Sequence, residues 1–212
     1  MNRLKDILAK YGVAILAIFH LVGLIGLFFI DQFIFASLTP LIMLISAGVV
    51  IAAEKGRRKG LFIVLIFAFL FGYIIELIGT KTGFPFGKYQ YGTSLWPRIF
   101  GVPLIIGVNW FLITMGAGYF IRYIFKHSWT RILFATVLMV MLDVFIEPLA
   151  EPLGFWRWEG GVIPILNFIG WFGVSLVMQI VFYVFLNKHE NKVAPAYFIM
   201  VAIFFMCLNI VI

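Results

Sequence analysis

Seven long apolar stretches run through the chain, at about 13–30, 33–53, 61–79, 101–124, 131–150, 164–186 and 194–212. No other feature constrains the fold as much. A helix needs about 20 apolar residues to cross the hydrocarbon core of a bilayer. The stretches are continuous rather than alternating, so they read as helices and exclude a β-barrel. The chain is 64% hydrophobic and 12% charged, with a mean hydropathy of +1.10. A water-facing globule cannot bury that much apolar surface, so a soluble enzyme, a nucleic-acid module and a disordered chain are excluded. The lone cysteine, Cys207, leaves no internal disulfide and no cysteine-built metal site. The expected fold is all-α: a polytopic integral protein of the cell membrane with about seven transmembrane helices, forming one domain over residues 1–212.

The first stretch follows Arg3, Lys5 and Lys10, as a signal peptide would. Its length, and the lack of a small-residue cleavage site after it, make it a retained span. Basic residues then orient the chain. Arg3, Lys5, Lys10, Lys55, Arg57, Arg58, Lys59, Arg122, Lys126, Arg131, Lys188 and Lys192 fall on one side. Lys81, Lys88, Arg98 and Arg157 fall on the other. Positive residues stay in the cytoplasm, so the N-terminus is expected inside and the C-terminus outside. The net charge of +7 is thus a topology signal with some contact to anionic membrane lipids, and nucleic acid is not an expected partner.

The two long outer loops, 80–100 and 151–163, hold the unusual residues. Trp96, Trp110, Trp156, Trp158 and Trp171 lie in or beside them, and only Trp129 lies on the inner side. An interfacial aromatic belt would be more even, so the asymmetry points to a site in the outer half. The two loops also resemble each other. Glu76, Gly83-Phe84, Gly101-Val102-Pro103 and Asn109-Trp110-Phe111 are followed by Glu147, Gly154-Phe155, Gly161-Val162, Pro164, Asn167 and Trp171-Phe172. Residues 61–124 and 131–186 are therefore expected to be parallel repeat units. Glu76 and Glu147 would then face each other across one cavity.

Carboxylates inside the membrane carry the functional argument. Glu76 lies near the outer end of the third span. Asp143, Glu147 and Glu151 follow at intervals of four, which puts them on one helical face, with Pro148 and Pro152 interrupting that helix near its end. A charge at the bilayer centre costs about 2.5–3.5 kcal/mol on insertion scales. No basic residue shares their depth, although Arg157, Lys81 or Lys88 could fold in from the loops. Crowded carboxyls in low dielectric do not all ionise, so one is expected to be held as a general acid. The alternatives are a polar network that locks helices together, or a Mg²⁺–diphosphate site. Asn109 and Asn167 suit orientation of a water or a carboxyl. His20, Gln179 and Asn209 read as interhelical bonds. His127 and His189 read as solvated.

Seven spans invite comparison with rhodopsins, but the last span has no Schiff-base lysine. A His-Glu-x-x-His pair and nucleotide-binding glycine patterns are also absent. The chain resembles instead the carotenoid biosynthesis membrane protein family, the carotenoid hydratases of bisanhydrobacterioruberin-hydratase type. Glu76-Leu77-Ile78-Gly79-Thr80 and Thr82-Gly83-Phe84-Pro85-Phe86-Gly87-Lys88-Tyr89-Gln90-Tyr91-Gly92 carry the resemblance. Gly101-Val102-Pro103, Asn109-Trp110, Asp143, Glu147-Pro148, Trp156-Arg157-Trp158, Pro164, Asn167-Phe168 and Gly170-Trp171-Phe172 extend it over roughly 60–185. It implies hydration of the terminal double bond of an acyclic carotenoid.

That reaction needs an acid, a sheltered tertiary cation and one water, and no redox cofactor or metal. Glu147 or Asp143 is the expected acid, and Glu76 the group that positions or deprotonates water. Phe86, Tyr89, Trp110 and Trp171 are placed to stabilise the cation. Asn109, Trp156, Arg157 and Asn167 complete the expected substrate site. The same protonation would serve a cyclase or isomerase, and buried acids in parallel repeats also occur in transporters and lipophile-binding proteins.

Overall fold

In a bilayer each backbone N–H and C=O must find its partner within the segment, so unbroken apolar runs fold as helices. The computed structural model of the protein describes residues 2–56 and 58–211, with side chains from residue 6 onward. Arg57, and the side chains of Arg3 and Lys5, lie outside the described residues. The helices are α1 (Asn2–Phe29), α2 (Gln32–Ser37), α3 (Thr39–Ala53), α4 (Arg58–Thr82), α5 (Ile105–Arg122), α6 (Ser128–Ala150), α7 (Ile165–Leu186) and α8 (Val193–Val211). Most of α1 and the whole of α4 to α8 are each long and apolar enough to cross a membrane. The protein is an all-α polytopic membrane protein.

The stretch 33–53 departs from a single span. It breaks at Leu38 into α2 and α3. Asp31 caps α2 by accepting from the Ile34 N–H at 2.8 Å, and the Ser37 hydroxyl turns back to the Ile34 carbonyl. Pro40 sits in the first turn of α3, where it has no N–H to offer a preceding helix. At 1.5 Å per residue α3 is about 22 Å long, short of a bilayer core by itself.

Helix α5 is the centre of the bundle. It packs on α3, α4, α6, α7 and α8, and most of its side chains are buried. Around it, α4 shows how position along a helix sorts lipid from core. Phe62, Ile66, Leu70, Ile74 and Ile78 recur every fourth residue and are exposed to the surroundings. Leu61, Val64, Ala68, Gly72, Glu76 and Gly79 form the buried stripe. Glu76 is inside because it falls on the helical face that packs on α5 and α7.

The loops 54–56, 123–127 and 187–192 share one face, here the basic face. Lys55 and Glu190 pair their backbones there, and Arg122 donates to the His189 carbonyl. Beneath them Glu54 is buried. It accepts from the Tyr119 hydroxyl at 2.5 Å and the Asn191 amide at 2.8 Å, with His189 Nδ1 at 3.2 Å. His189 is therefore a partly buried partner of Glu54 and not a solvated loop residue, while His127 is exposed. The opposite, aromatic face carries four short strands: β1 (Tyr89–Tyr91), β2 (Arg98–Ile99), β3 (Val102–Pro103) and β4 (Trp156–Trp158). Strand β2 pairs with β3, so the apolar run at 101–124 becomes helical only from Ile105. Strand β1 pairs antiparallel with β4 and ties the two long loops together.

Two outcomes follow. In a Cys207→Ser background, Glu159→Cys and Lys188→Cys flank α7 at its two ends, so a membrane-impermeant maleimide should label them from opposite sides. Labelling of both from one side contradicts the topology. Burial holds the Glu54 carboxyl above its ordinary range, outweighing the bonds from Tyr119, Asn191 and His189. The folded state then binds the proton more tightly than the unfolded chain, so stability is fullest below the ordinary carboxyl value and falls as pH rises through the raised one. The melting temperature of Glu54→Gln in detergent should lack that fall as pH rises above the ordinary carboxyl range.

Candidate active site

The site begins with three carboxylates on two helices. Glu76 reaches inward from α4, and Asp143 and Glu147 reach inward from α6 one turn apart. Pro148 does not end α6, which runs on to Ala150; the bond lost is only the one to the Val144 carbonyl. Glu151, one turn further, is exposed on the aromatic face, so Asp143, Glu147 and Glu151 do not form one liganding set.

Most of the donors come from the strand pair, and Trp110 and Asn167 come from α5 and α7. Tyr89 stands opposite Trp158, and Tyr91 opposite Trp156. Alternate residues of a strand point to the same side. Tyr89, Tyr91, Trp156 and Trp158 therefore all point down at the carboxylates, while Gln90 and Arg157 point out and are exposed. The Tyr89 and Tyr91 hydroxyls donate to Glu76 Oε2 at 2.5 and 2.7 Å, and Trp110 Nε1 donates to Oε1 at 3.3 Å. Trp158 and Trp156 Nε1 donate to Glu147 Oε2 at 2.7 and 3.2 Å. Asn167 Nδ2 bridges Glu147 Oε1 at 3.0 Å and Asp143 Oδ2 at 2.7 Å. Burial, followed by the charge of Glu76, pushes the Tyr89 and Tyr91 phenols above their ordinary value, so both stay protonated donors.

These groups enclose a pocket of about 30 Å³, lined by Glu76, Glu147, Asn109, Asn167, Phe86, Tyr89, Tyr91, Trp156, Trp158 and Trp171. That is space for about one or two waters. Trp110 and Trp171 pack ring against ring beside it, tilted by 34° at a centroid distance of 4.4 Å. Asp143 lies behind Glu147. Asn109 has no side-chain partner among the described residues, and it also lines the larger apolar cleft beside the pocket, with Ile106 and Trp156. This cleft, about 130 Å³, runs between α1, α3, α5 and α8, past His20, Leu27, Met43, Tyr197 and Phe204. On the other side, Tyr89 and Trp158 are shared with an open polar bowl of about 600 Å³ on the aromatic face. Lys81, Lys88, Glu151, Arg157 and Glu159 line the bowl.

Every expected site residue except Arg157 falls in or against the carboxylate pocket. Arg157 lies in the bowl because its strand position sends it outward. Lys81 and Lys88 do not fold in either; Lys88 faces Glu159 at 3.7 Å, both largely exposed. Sequence reasoning did not assign roles to Tyr91 and Trp158. The signal was there: the alternation Tyr-x-Tyr and Trp-x-Trp has the period of a strand.

Packing holds the array through close approaches to glycine. A Cβ at Gly72 on α4 would collide with the Trp110 ring, which bonds Glu76 one turn on. A Cβ at Gly170 on α7 would meet the Pro85 carbonyl at 2.7 Å and the Phe86 ring at 2.8 Å. Gly72→Ala should therefore lower stability by about 1–3 kcal/mol through overpacking. Thermal unfolding in detergent measures this against Gly48→Ala, whose new methyl meets nothing within 4 Å.

A family model described as carotenoid biosynthesis protein matches residues 35–212, which include all of these groups. A bisanhydrobacterioruberin hydratase of Haloarcula japonica is 35% identical over 123 residues, covering 54% of this chain and 41% of that relative. The match thus spans less than half of the relative's length. No solved structure matches the chain.

Proposed function

The chain belongs to the carotenoid biosynthesis protein family, and from that premise we propose that it is a membrane-embedded carotenoid hydratase. It adds water to the terminal double bond of an acyclic carotenoid, in the cell membrane, without a redox cofactor. One observation carries this reading. The carboxylate pocket shares one wall with an apolar cleft and another with a polar bowl. Hydration of a polyene end needs both, since the alkene comes from the lipid side and the water from the polar side. A cyclase has no use for the polar neighbour.

The donor pattern divides the labour. Glu76 receives three donors and Glu147 three, an arrangement that suits carboxylates. Asp143 receives one, from the Asn167 nitrogen that also bonds Glu147. Two carboxyls on one nitrogen in a dry site share a proton and behave as a pair. The pair is the acid, and Glu147 is the member that faces the pocket.

The alkene π electrons take the proton from the pair at the less substituted carbon. This leaves a tertiary cation beside the Trp156 and Trp171 rings and the carboxylate charges. Water held by Asn109 and Glu76 adds through its oxygen. Glu76 accepts the released proton, and the alcohol leaves along the cleft. Proton return from Glu76 to the pair closes the cycle, so no proton is consumed beyond that in the added water. Residues 61–124 and 131–186 act as two repeat units, one bringing Glu76 and the other the acid pair.

The test is pigment analysis in a bacterium that makes an acyclic carotenoid, with the chain expressed and shown to be inserted. A new, more polar pigment heavier by one water is expected. Glu76→Gln, Asp143→Asn and Glu147→Gln should each lower its yield by at least about 10²-fold, the scale of a lost acid or base. Full turnover by all three rejects the assignment. An isomer of unchanged mass rejects hydration in favour of cyclisation.

A further inference from the structure

A half-buried guanidinium needs a counter-charge, because burial removes hydration without removing the charge. On the basic face two arginines lack one. Arg122 in the last turn of α5 and Arg131 in the first turn of α6 are both half-buried. Among the described residues neither makes an ion pair with a carboxylate. The acids of this face are engaged or lie in water. Glu54 accepts from Tyr119 and Asn191 and faces His189. Asp6 and Glu190 are exposed.

Both arginines line one cavity. It lies between the ends of α5, α6 and α7, has a volume of about 10 Å³, and has Tyr183 and Asn187 of α7 on its wall. That is room for one oxygen-sized group. Each guanidinium spends one N–H on the chain. Arg122 donates to the His189 carbonyl, and Arg131 Nε donates to the Phe125 carbonyl at 2.6 Å. These bonds hold both groups in place and leave the remaining N–H donors of each fork uncommitted.

We propose that Arg122 and Arg131 bind the phosphate of an anionic phospholipid, with one phosphate oxygen seated in the cavity and the rest of the headgroup above it. A phosphate oxygen accepts from both forks, and arginine suits this geometry better than lysine. Basic pockets between spanning helices on the positively charged side take phosphate headgroups. The surroundings favour a lipid over a free ion. Trp129, two residues before Arg131, is 77% exposed, as an interfacial anchor is. Leu133 and Val137 on α6, with Ile180 and Val184 on α7, expose apolar side chains that acyl chains can cover. Lys126 and Lys188 are exposed on the adjoining loops and attract negative charge without lining the cavity. The site lies at the opposite end of these helices from the carboxylate pocket and does not depend on the hydratase reading.

The test uses the full chain purified in detergent and titrated with phosphatidylglycerol, with neutral phosphatidylcholine as reference, and bound lipid is counted by native mass spectrometry. The wild type should prefer phosphatidylglycerol by at least about tenfold, and Arg122→Gln and Arg131→Gln should each lose most of that preference. Lys126→Gln and Lys188→Gln remove the same charge from the same face outside the cavity and should change it by less than about twofold. Arg131→Lys keeps the charge and a donor for the Phe125 carbonyl, so it carries the test where a glutamine variant fails to fold. It should lose the preference too, because it lacks the fork. Lysine variants that weaken binding as much as the arginine variants show diffuse attraction and overturn the proposal. An unchanged preference in Arg131→Lys also overturns it. A parallel titration with inorganic phosphate separates the two sources: phosphate that displaces phosphatidylglycerol at equal concentration assigns the cavity to a free anion and overturns the lipid.

Discussion

Keeping carboxylates inside a membrane protein demands donors, and the rest of this structure is arranged to bring them. A bare carboxyl in the core costs several kcal/mol, and three together would oppose folding. Among the described residues no lysine or arginine neutralises them. The compensation is a ring of neutral donors, two phenols, three indoles and one amide, at 2.5 to 3.3 Å. Neutral donors stabilise a carboxylate without cancelling its charge. An ion pair would cancel it, and a paired carboxylate offers little to a passing cation. The choice of indole and phenol over guanidinium thus leaves negative field in the pocket.

Four of the six donors reach the carboxylates through one short strand pair, and Trp110 and Asn167 reach them from α5 and α7. The loop segments 89–91 and 156–158 are three residues each, and pairing them fixes four aromatic side chains at once. Register matters more than length here. A slip by one residue would aim Gln90 and Arg157 at the carboxylates and turn the aromatics to water. Glycines at the margins secure this arrangement. Gly92 and Gly154 approach so closely that a side chain at Gly92 would strike the Gly154 carbonyl, and the Gly92 N–H donates to the Phe155 carbonyl at 2.8 Å.

Much of this was legible in the sequence, for physical reasons that differ by element. Spans are legible because the bilayer sets their length and forbids polar breaks. Glu76 and Glu147 stand out because a charge in such a span is expensive. The stripe of Gly72, Glu76 and Gly79 is a period-3.6 signal. The division of α2 from α3 was masked because a proline in a first helical turn leaves the hydropathy of 33–53 unchanged. Glu151 matched the i, i+4, i+8 pattern, but α6 ends at Ala150, so helical spacing no longer fixes its direction. Arg157 was misplaced for the mirror reason: a helical or irregular loop could send it inward, and a strand cannot. Tyr91 and Trp158 carried a period-2 signal only three residues long, too short to be separated from chance without its partner strand.

The two walls that the pocket shares give the carboxylates opposite neighbours. Towards the cleft the walls are apolar and aromatic, which suits a polyene and lengthens the life of a cation by keeping water away. Towards the bowl the boundary is Tyr89 and Trp158, side chains already committed to Glu76 and Glu147. The two side chains of this boundary are donors whose acceptors are the carboxylates themselves. Passage of water and the protonation state of the site are therefore coupled through the same bonds. When a carboxylate takes a proton its hold on the indole or phenol weakens, and the donor is freer to bond water instead. Under the proposed hydration, such a site would admit water most readily when one of its acids carries a proton, and hydrogen bonding would keep the two halves of the addition in order.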